Sequence, residues 1–535
     1  TQRKSYDNFY TPQNQQFYAT KPYAALEARH IRLLRIHPLQ TGEDNHEPIR
    51  CELLHNVSLD AMRGKYTTIS YCAGDPKQTE AVFLDERPFN AFASLGHALR
   101  QARHYWKKYH EHQELLLWAD QTCINQSDSS ERGEQVSLMG DIYGAGAQVL
   151  ISLSKEGDQP GGLKWLKNFS NDMIRHHGGV AAKVPLFDTT ESECHQASIA
   201  LDWETFRTTF LSAPWWTRAW VQQELFRASH AVFLLMYDDL KAEHLSVIVD
   251  GLCSRGSGKK TLATHDACQT CLFYELSPNP LLQEWRLFCV HFLLKRKHLM
   301  RGIHTIDQYP DLLDNIFSLS NTECTASDPR DLIYSCLGYS GRTYGVQPDY
   351  SPDISLIDAA TQLARNVIEQ TGNLDMLTLA SRQKILGLQG DHPSWVADWS
   401  LPFPFYGRFR LHGVPLFAGI LFAFEANGPP FAFEANELGQ ANRILRVHGI
   451  LHETLHEDSM LLTDPFYDHL KPGDEVWHLC TANQPYVFRL KGKYRELVGR
   501  EIDPKAPDGP DPNWIKHVNQ LFENNDARIQ CISIC

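Results

Sequence analysis

The chain has 535 residues, too many for one hydrophobic core, and at roughly 100–200 residues per domain it is expected to form two or three packed units. Its formal net charge of −13 argues against a protein whose main partner is a nucleic-acid backbone, because phosphate binding relies on clustered Lys and Arg. No window reaches the ~18 consecutive apolar residues that span a bilayer, and the opening TQRKSYDNFYTPQNQQFY lacks the apolar core of a secretory signal, so a cytoplasmic location is expected.

Residues 1–60 read as an N-terminal arm leading into a strand, with His30 to Leu39 (HIRLLRIHPL) alternating enough to pair with a sheet. Residues 61–240 read as an α/β domain. Its short strands are expected at ISY, ending at Tyr71, and at Ala81 to Leu84, and a helix with an apolar face at Ser94 to Lys108. Leu115 to Ala119 is a continuous apolar run that stops at Asp120, the pattern of a strand covered on both faces. Beyond the polar loop CINQSDSS, Asp128 stands three residues before Glu131 in a capping-box-like helix start. Val136, Met139, Tyr143 and Ala147 then recur at helical spacing, which predicts one core shared with Trp118 and the apolar run Val149 to Leu153. The polar, Gly-containing insertion from Glu156 to about Thr208 is expected to decorate an edge or cover a cleft. His230 to Tyr237 reads as a late buried strand. Strands alternating with helices predict an α/β fold with a mostly parallel sheet and flanking helices.

Residues 241–390 read as a helical region, with Leu281 to Leu299 and Ile354 to Gly372 both amphipathic and the second ending on a glycine suited to a C-cap. The short basic stretch KRKH, Lys295 to His298, reads as solvated surface. Residues 391–535 change texture to short strand-like runs, among them RILRVHGILHETL, EVWHLC, YVFRL and KYRELVG, and predict a small C-terminal β subdomain. A seven-residue unit occurs twice, at Phe422 to Gly428 and Phe431 to Glu437, too few copies for a solenoid. Thirteen cysteines, an odd count without secreted spacing, read as reduced packing residues. His265, Cys268 and Cys271 have a spacing that zinc accepts, but a structural zinc needs four ligands and no second pair is evident, so no metal site is assigned.

Several of these segments carry a resemblance. The order W-x-D-x-x-C-I-N-Q, then E-R-x-x-Q-V-x-x-M-x-x-I-Y, the opening YTTISYCAG (Tyr66 to Gly74) and the closing PWWTRAWVQQELFRA (Pro214 to Ala228) resemble the fungal heterokaryon-incompatibility (HET) domain. SDPRDLIYSCLG, HPSWVADWS and KPGDEVWHL resemble the C-terminal region of long, stand-alone proteins of that family. Where the family usually has a tryptophan, this chain has Ala73.

The resemblance implies a TIR- or flavodoxin-like sheet and, through a distant TIR relationship, a catalytic glutamate in a W-x-x-x-E-L arrangement, which here falls on Trp220, Glu224 and Leu225. Glu224 would then cleave a nicotinamide–ribose bond, which makes NAD a candidate substrate; no cofactor is assigned. In an open α/β sheet ligands gather at the carboxyl ends of the strands, which adds Asp120 as a second catalytic candidate and Ser70, Tyr71, Gly74, Asp75, Asn125, Gln126 and Trp220 as ligand-binding candidates. Each has a structural alternative: a glutamate near a helix start complements the helix dipole, and Asx side chains satisfy their own loops. Two functions follow. One is incompatibility and cell-death signalling, with other incompatibility proteins or a second copy as partner. The other is a HET-like enzyme of fungal specialised metabolism that cyclises or isomerises a small molecule.

Overall fold

The structure is a computed structural model that describes residues 14–20, 23–39, 47–154, 161–166, 202, 204–246, 290, 293, 294, 297, 312, 315, 316, 324–374, 376, 377, 380, 381, 393–399, 431–437, 443–455, 470–480, 482, 486–500 and 512–535. The chain divides into two units, the first holding residues 1–309, 324–328 and 335–340 and the second the rest.

After α1 (Gln15–Thr20), the first unit runs through β1 (His30–Ile36), β2 (Arg50–Ser58), β3 (Thr67–Tyr71), β4 (Thr79–Leu84), β5 (Arg87–Phe92), α2 (Ala93–His110), β6 (Leu115–Trp118), α3 (Asp120–Cys123), α4 (Ser129–Ala145), β7 (Gln148–Ser152), α5 (Val221–Arg227), β8 (Ala231–Leu235) and β9 (Asp238–Lys241). The nine strands form one sheet in the order β5-β4-β2-β1-β6-β3-β7-β8-β9. Its centre, β6-β3-β7-β8, is parallel throughout. Outside that centre the expectation of a mostly parallel sheet fails: β1 pairs antiparallel with β2 and β6, β4 with β5, and β8 with β9, so the sheet is mixed. The reason is local. β4–β5 and β8–β9 are joined by turns of two residues, which permit only antiparallel return.

The apolar runs land as their texture predicts. All five residues of β3 and of β8 are buried, as is Val149 to Leu153. Helix α4 is rotated from the expected face. Gln135, Met139, Ile142 and Tyr143 are buried, whereas Val136 is half-buried, because Gln135 turns inward to donate to the His30 carbonyl at 3.1 Å. The capping box is also only half made. Asp128 accepts from the backbone N–H of Ser130 and Glu131, but the Glu131 carboxylate turns to Arg32 and to the Asn125 N–H, the latter at 2.7 Å.

Arg32 on β1 is fully buried. It donates to both oxygens of Glu131 (2.5 and 2.9 Å) and to the Cys123 and Ala24 carbonyls, and its guanidinium lies 4.4 Å from the Tyr23 ring centroid. One guanidinium thus ties the N-terminal segment, β1, α3 and α4 together.

Within the second unit α7 (Leu356–Thr371) follows α6 (Asp331–Leu337), which begins in it. The expected C-cap of α7 forms, Gly372 closing the helix at φ +66°, and Ser355 and Asp358 add a reciprocal capping box at its start. The C-terminal strands β10 (Phe431–Glu434), β11 (Ile444–Thr454), β12 (Glu475–Leu479), β13 (Tyr486–Lys491), β14 (Tyr494–Arg500) and β15 (Gln530–Ile534), with α8 (Pro512–Glu523) ahead of β15, form a six-stranded sheet. It curls back on itself through an added β11–β15 pairing, giving a barrel-like closure. Among the described residues no helix is long and apolar enough to cross a membrane. The described cysteines carry no disulfide. His265, Cys268 and Cys271, residues 167–200 of the insertion, and the first copy of the seven-residue unit, Phe422 to Gly428, lie outside the described residues.

Two stability outcomes are expected. Met139→Ala removes a side chain 5% exposed and should cost about 2–5 kcal/mol in denaturant unfolding; a near-neutral result would mean α4 faces elsewhere. Arg32→Ala strands the Glu131 carboxylate, 11% exposed, and should cost about 3–5 kcal/mol, unlike truncation of the exposed Arg50–Glu86 pair, for which at most about 1 kcal/mol is expected.

Candidate functional site

β3 delivers two neighbouring side chains at its carboxyl end, pointing to opposite faces of the sheet. Ser70 Oγ accepts a hydrogen bond from Trp215 Nε1 at 2.6 Å and donates to Glu224 Oε2. Tyr71 Oη donates to Asp120 Oδ1 at 2.9 Å. Arg218 joins the two halves: Nη1 donates to the Tyr71 carbonyl and stands 3.9 Å from Glu224 Oε1. Asp120 sits where β6 ends, its Oδ1 also accepting from the Gln121 N–H (2.7 Å) while Gln126 Nε2 donates to its carbonyl (3.0 Å). Ser70, Tyr71, Asp120, Gln126 and Glu224 therefore gather at the carboxyl edge of the parallel centre in two hydrogen-bonded groups that the Arg218–Glu224 ion pair links.

The other candidates stay local. Gly74 holds φ +71° and Asp75 accepts from the Lys77 N–H at 3.0 Å, in an exposed turn. The Ala73 carbonyl accepts from Ser94 Oγ at 2.7 Å. Asn125 Oδ1 is taken up by the N–H and hydroxyl of Ser127. Trp220 contributes backbone, its carbonyl accepting from the Glu224 N–H at 3.2 Å. Two residues inside the quoted motifs but not singled out prove to belong, Trp215 and Arg218, while Tyr143, expected in the core with Trp118, packs edge-on to it and donates to the Ile69 carbonyl at 3.1 Å. The only sequence signal for the first two was their place in a Trp-rich segment, since Ser70 and Trp215 are 145 positions apart.

Glu224 is 3% exposed and Ser70 1%, so a free anion there would be expensive. Burial pushes the Glu224 carboxyl up to about 7; Arg218 and the Ser70 hydroxyl pull it down, and the charge of Asp120 pushes it up again. Burial also lifts the Tyr71 and Tyr143 phenols well above their ordinary range. The set can therefore hold or release one proton at Glu224 near neutral pH, with a cation and a hydroxyl ready for the anion. Among the described residues no cluster of three or more His, Cys, Asp or Glu is arranged to hold a metal.

The sign of the pH dependence follows. Glu224 binds its proton more tightly in the fold than in the unfolded chain, so its contribution to stability is complete below its ordinary value of 4.5 and is lost as pH rises through about 7. Unfolding free energy measured from acid to neutral pH should fall over this window. Glu224→Gln should remove that slope, and an identical slope in the variant would assign it to another group.

Comparison with known proteins follows the same segment. The family model described as heterokaryon incompatibility protein (HET) matches residues 66–224, from the residue before β3 to Glu224 itself. Heterokaryon incompatibility protein 6, OR allele, of Neurospora crassa is 26% identical over 416 residues, covering 69% of this chain and 58% of the relative. The chain thus matches little more than half the length of that relative. No solved structure matches. Residues 66–224 are thus similar to the heterokaryon-incompatibility family, and the matched segment ends on the buried carboxyl that Ser70 and Arg218 hold.

Proposed function

We propose that this is a cytoplasmic incompatibility-type signalling protein whose HET domain triggers cell death by cleaving NAD at Glu224. The observation that carries the reading is the Ser70–Glu224–Arg218 arrangement, a carboxyl poised near neutrality at the carboxyl edge of parallel strands. The order β6-β3-β7-β8 is the 2-1-3-4 order of a doubly wound, flavodoxin-like core, in which ligands bind where the order reverses. The W-x-x-x-E-L spacing and the TIR likeness support the same residue. The partners in this reading are other incompatibility proteins or a second copy.

The chemistry asks little of the chain. The nicotinamide–ribose bond breaks with its electron pair leaving on nicotinamide, and the ribosyl carbon becomes cation-like. The ionised Glu224 carboxylate stabilises that cation, and water adds and loses a proton. Arg218 and Ser70 favour the anion the step needs. Because Glu224 is 3% exposed, substrate reaches it only when the side chains above it move, so activity belongs to an assembled or partner-bound state.

The full chain at high concentration should hydrolyse NAD, and Glu224→Gln should lower turnover by about 10²-fold or more, with Asp120→Asn intermediate. Turnover unchanged in Glu224→Gln would remove the catalytic role. An inert response to NAD under every assembled condition, together with a co-purifying metabolite bound at the 70–75 and 120–126 loops, would favour the biosynthetic enzyme instead.

A further inference from the structure

Helix α5, which carries Glu224, has seven residues, far fewer than a helix needs to persist by itself in water. Atoms remote in sequence complete it. Lys297, 3% exposed, donates from Nζ to the carbonyls of Leu225 and Ala228, both at 2.7 Å. An ammonium thus stands at the negative end of the helix and takes up carbonyls that helix ends leave without partners. Gln222 Oε1 accepts from Tyr339 Oη and Gln223 Oε1 from the Gly338 N–H, both at 3.1 Å. The expectation that the KRKH stretch is solvated surface fails at Lys297: Val290, Leu293, Leu294 and Lys297 are helical and buried at i, i+3, i+4 and i+7, the spacing of an inward stripe.

We propose that Lys297 is a positioning residue for Glu224, capping α5 so that the carboxyl is held against Ser70 and Arg218, with Tyr339 steadying the same helix through Gln222. The proposal rests on reading Glu224 as the working carboxyl. Leu225 directly follows Glu224, so fixing its carbonyl fixes the rotation of the last turn. Successive helical residues point about 100° apart, so even part of that rotation would swing the carboxyl off Ser70. The groups that act on the Glu224 carboxyl are Arg218 from the turn before α5, Ser70 from β3 and Asp120 from α3, and the phenols of Tyr71 on β3 and Tyr143 on α4 are coupled to its charge. Lys297, Gly338 and Tyr339 all lie beyond the stretch that matches the family model.

The test is infrared difference spectroscopy of the full chain titrated through neutral pH, with the carboxylic C=O band that disappears in Glu224→Gln assigned to Glu224. If Lys297 positions the carboxyl, Lys297→Met frays the turn and admits water. The Glu224 midpoint then moves down toward the ordinary carboxylate range by about one pH unit, a tenfold loss of proton affinity. Tyr339→Phe should move it the same way by less and serves if Lys297→Met does not fold. Lys297→Arg, which keeps a charged donor, should restore the midpoint. A midpoint unchanged in folded Lys297→Met or Tyr339→Phe overturns the proposal, because a merely structural lysine would alter stability alone. An upward shift also overturns it: burial is the largest influence on this carboxyl and outweighs Ser70 and Arg218, so admitting water must lower the midpoint even as those partners are lost. The readout is titration, not turnover, so an inert NAD assay with a downward shift would defeat the catalytic reading while leaving the positioning role intact.

Discussion

A carboxyl group buried at the carboxyl edge of the parallel strands is the constraint on which the rest of the first unit depends. Transfer of an ionised carboxylate out of water costs far more than any one contact returns, so such a group is either protonated or surrounded by donors and charge. Glu224 has both escapes at hand: its proton is held up to about 7, and Ser70 and Arg218 stand ready for the anion. Each partner is itself committed. Ser70 can spend its proton on Glu224 because its oxygen accepts from Trp215, and Arg218 is fixed by the Tyr71 carbonyl. Tyr71 in turn leads to Asp120 at the end of the neighbouring strand. Replacing any member leaves another buried polar group without its partner, the situation in which hydrogen bonds matter most.

The same economy governs the scaffold. β1, drawn from the N-terminal segment, lies inside the sheet between β2 and β6, and its Arg32 reaches Glu131 at the start of α4. A charge fully out of water is retained because it answers several acceptors from separate segments. Helix α4 then meets its neighbours through glycine: a Cβ on Gly140 would lie 2.5 Å from the Gly338 carbonyl oxygen, so only glycine permits that approach. Arg227 at the end of α5 donates to the Gly140 carbonyl at 3.0 Å, which docks the helix bearing Glu224 onto α4.

The short helix α5 makes plain how a motif can be visible without its role being so. W-x-x-x-E-L places Glu224, yet its last turn depends on Lys297, and its glutamines on Gly338 and Tyr339. The family motif and the later SDPRDLIYSCLG segment are more than 100 residues apart in sequence and meet in the fold. A basic tetrapeptide reads as surface because lysine is rarely buried; here paired backbone carbonyls at a helix end supply the acceptors that make burial tolerable.

The sequence by itself determined the α/β character of the first unit, the buried runs at β3, β6, β7 and β8, the glycine cap that ends α7, the β texture of the C-terminal strands and the resemblance to the HET domain. These are properties of apolar periodicity, caps and motif order, all local to a few residues. Tertiary structure alone decided the mixed strand directions, because an apolar strand reads the same whichever way its neighbour runs. It also decided the rotation of α4, where a buried Gln135 found the His30 carbonyl and Val136 turned partly outward. Above all it decided the company of Glu224. Spacing could place that carboxyl on a helix, but Ser70, Asp120 and Arg218 become its surroundings only when distant segments close on one another, and proton affinity is set by those surroundings.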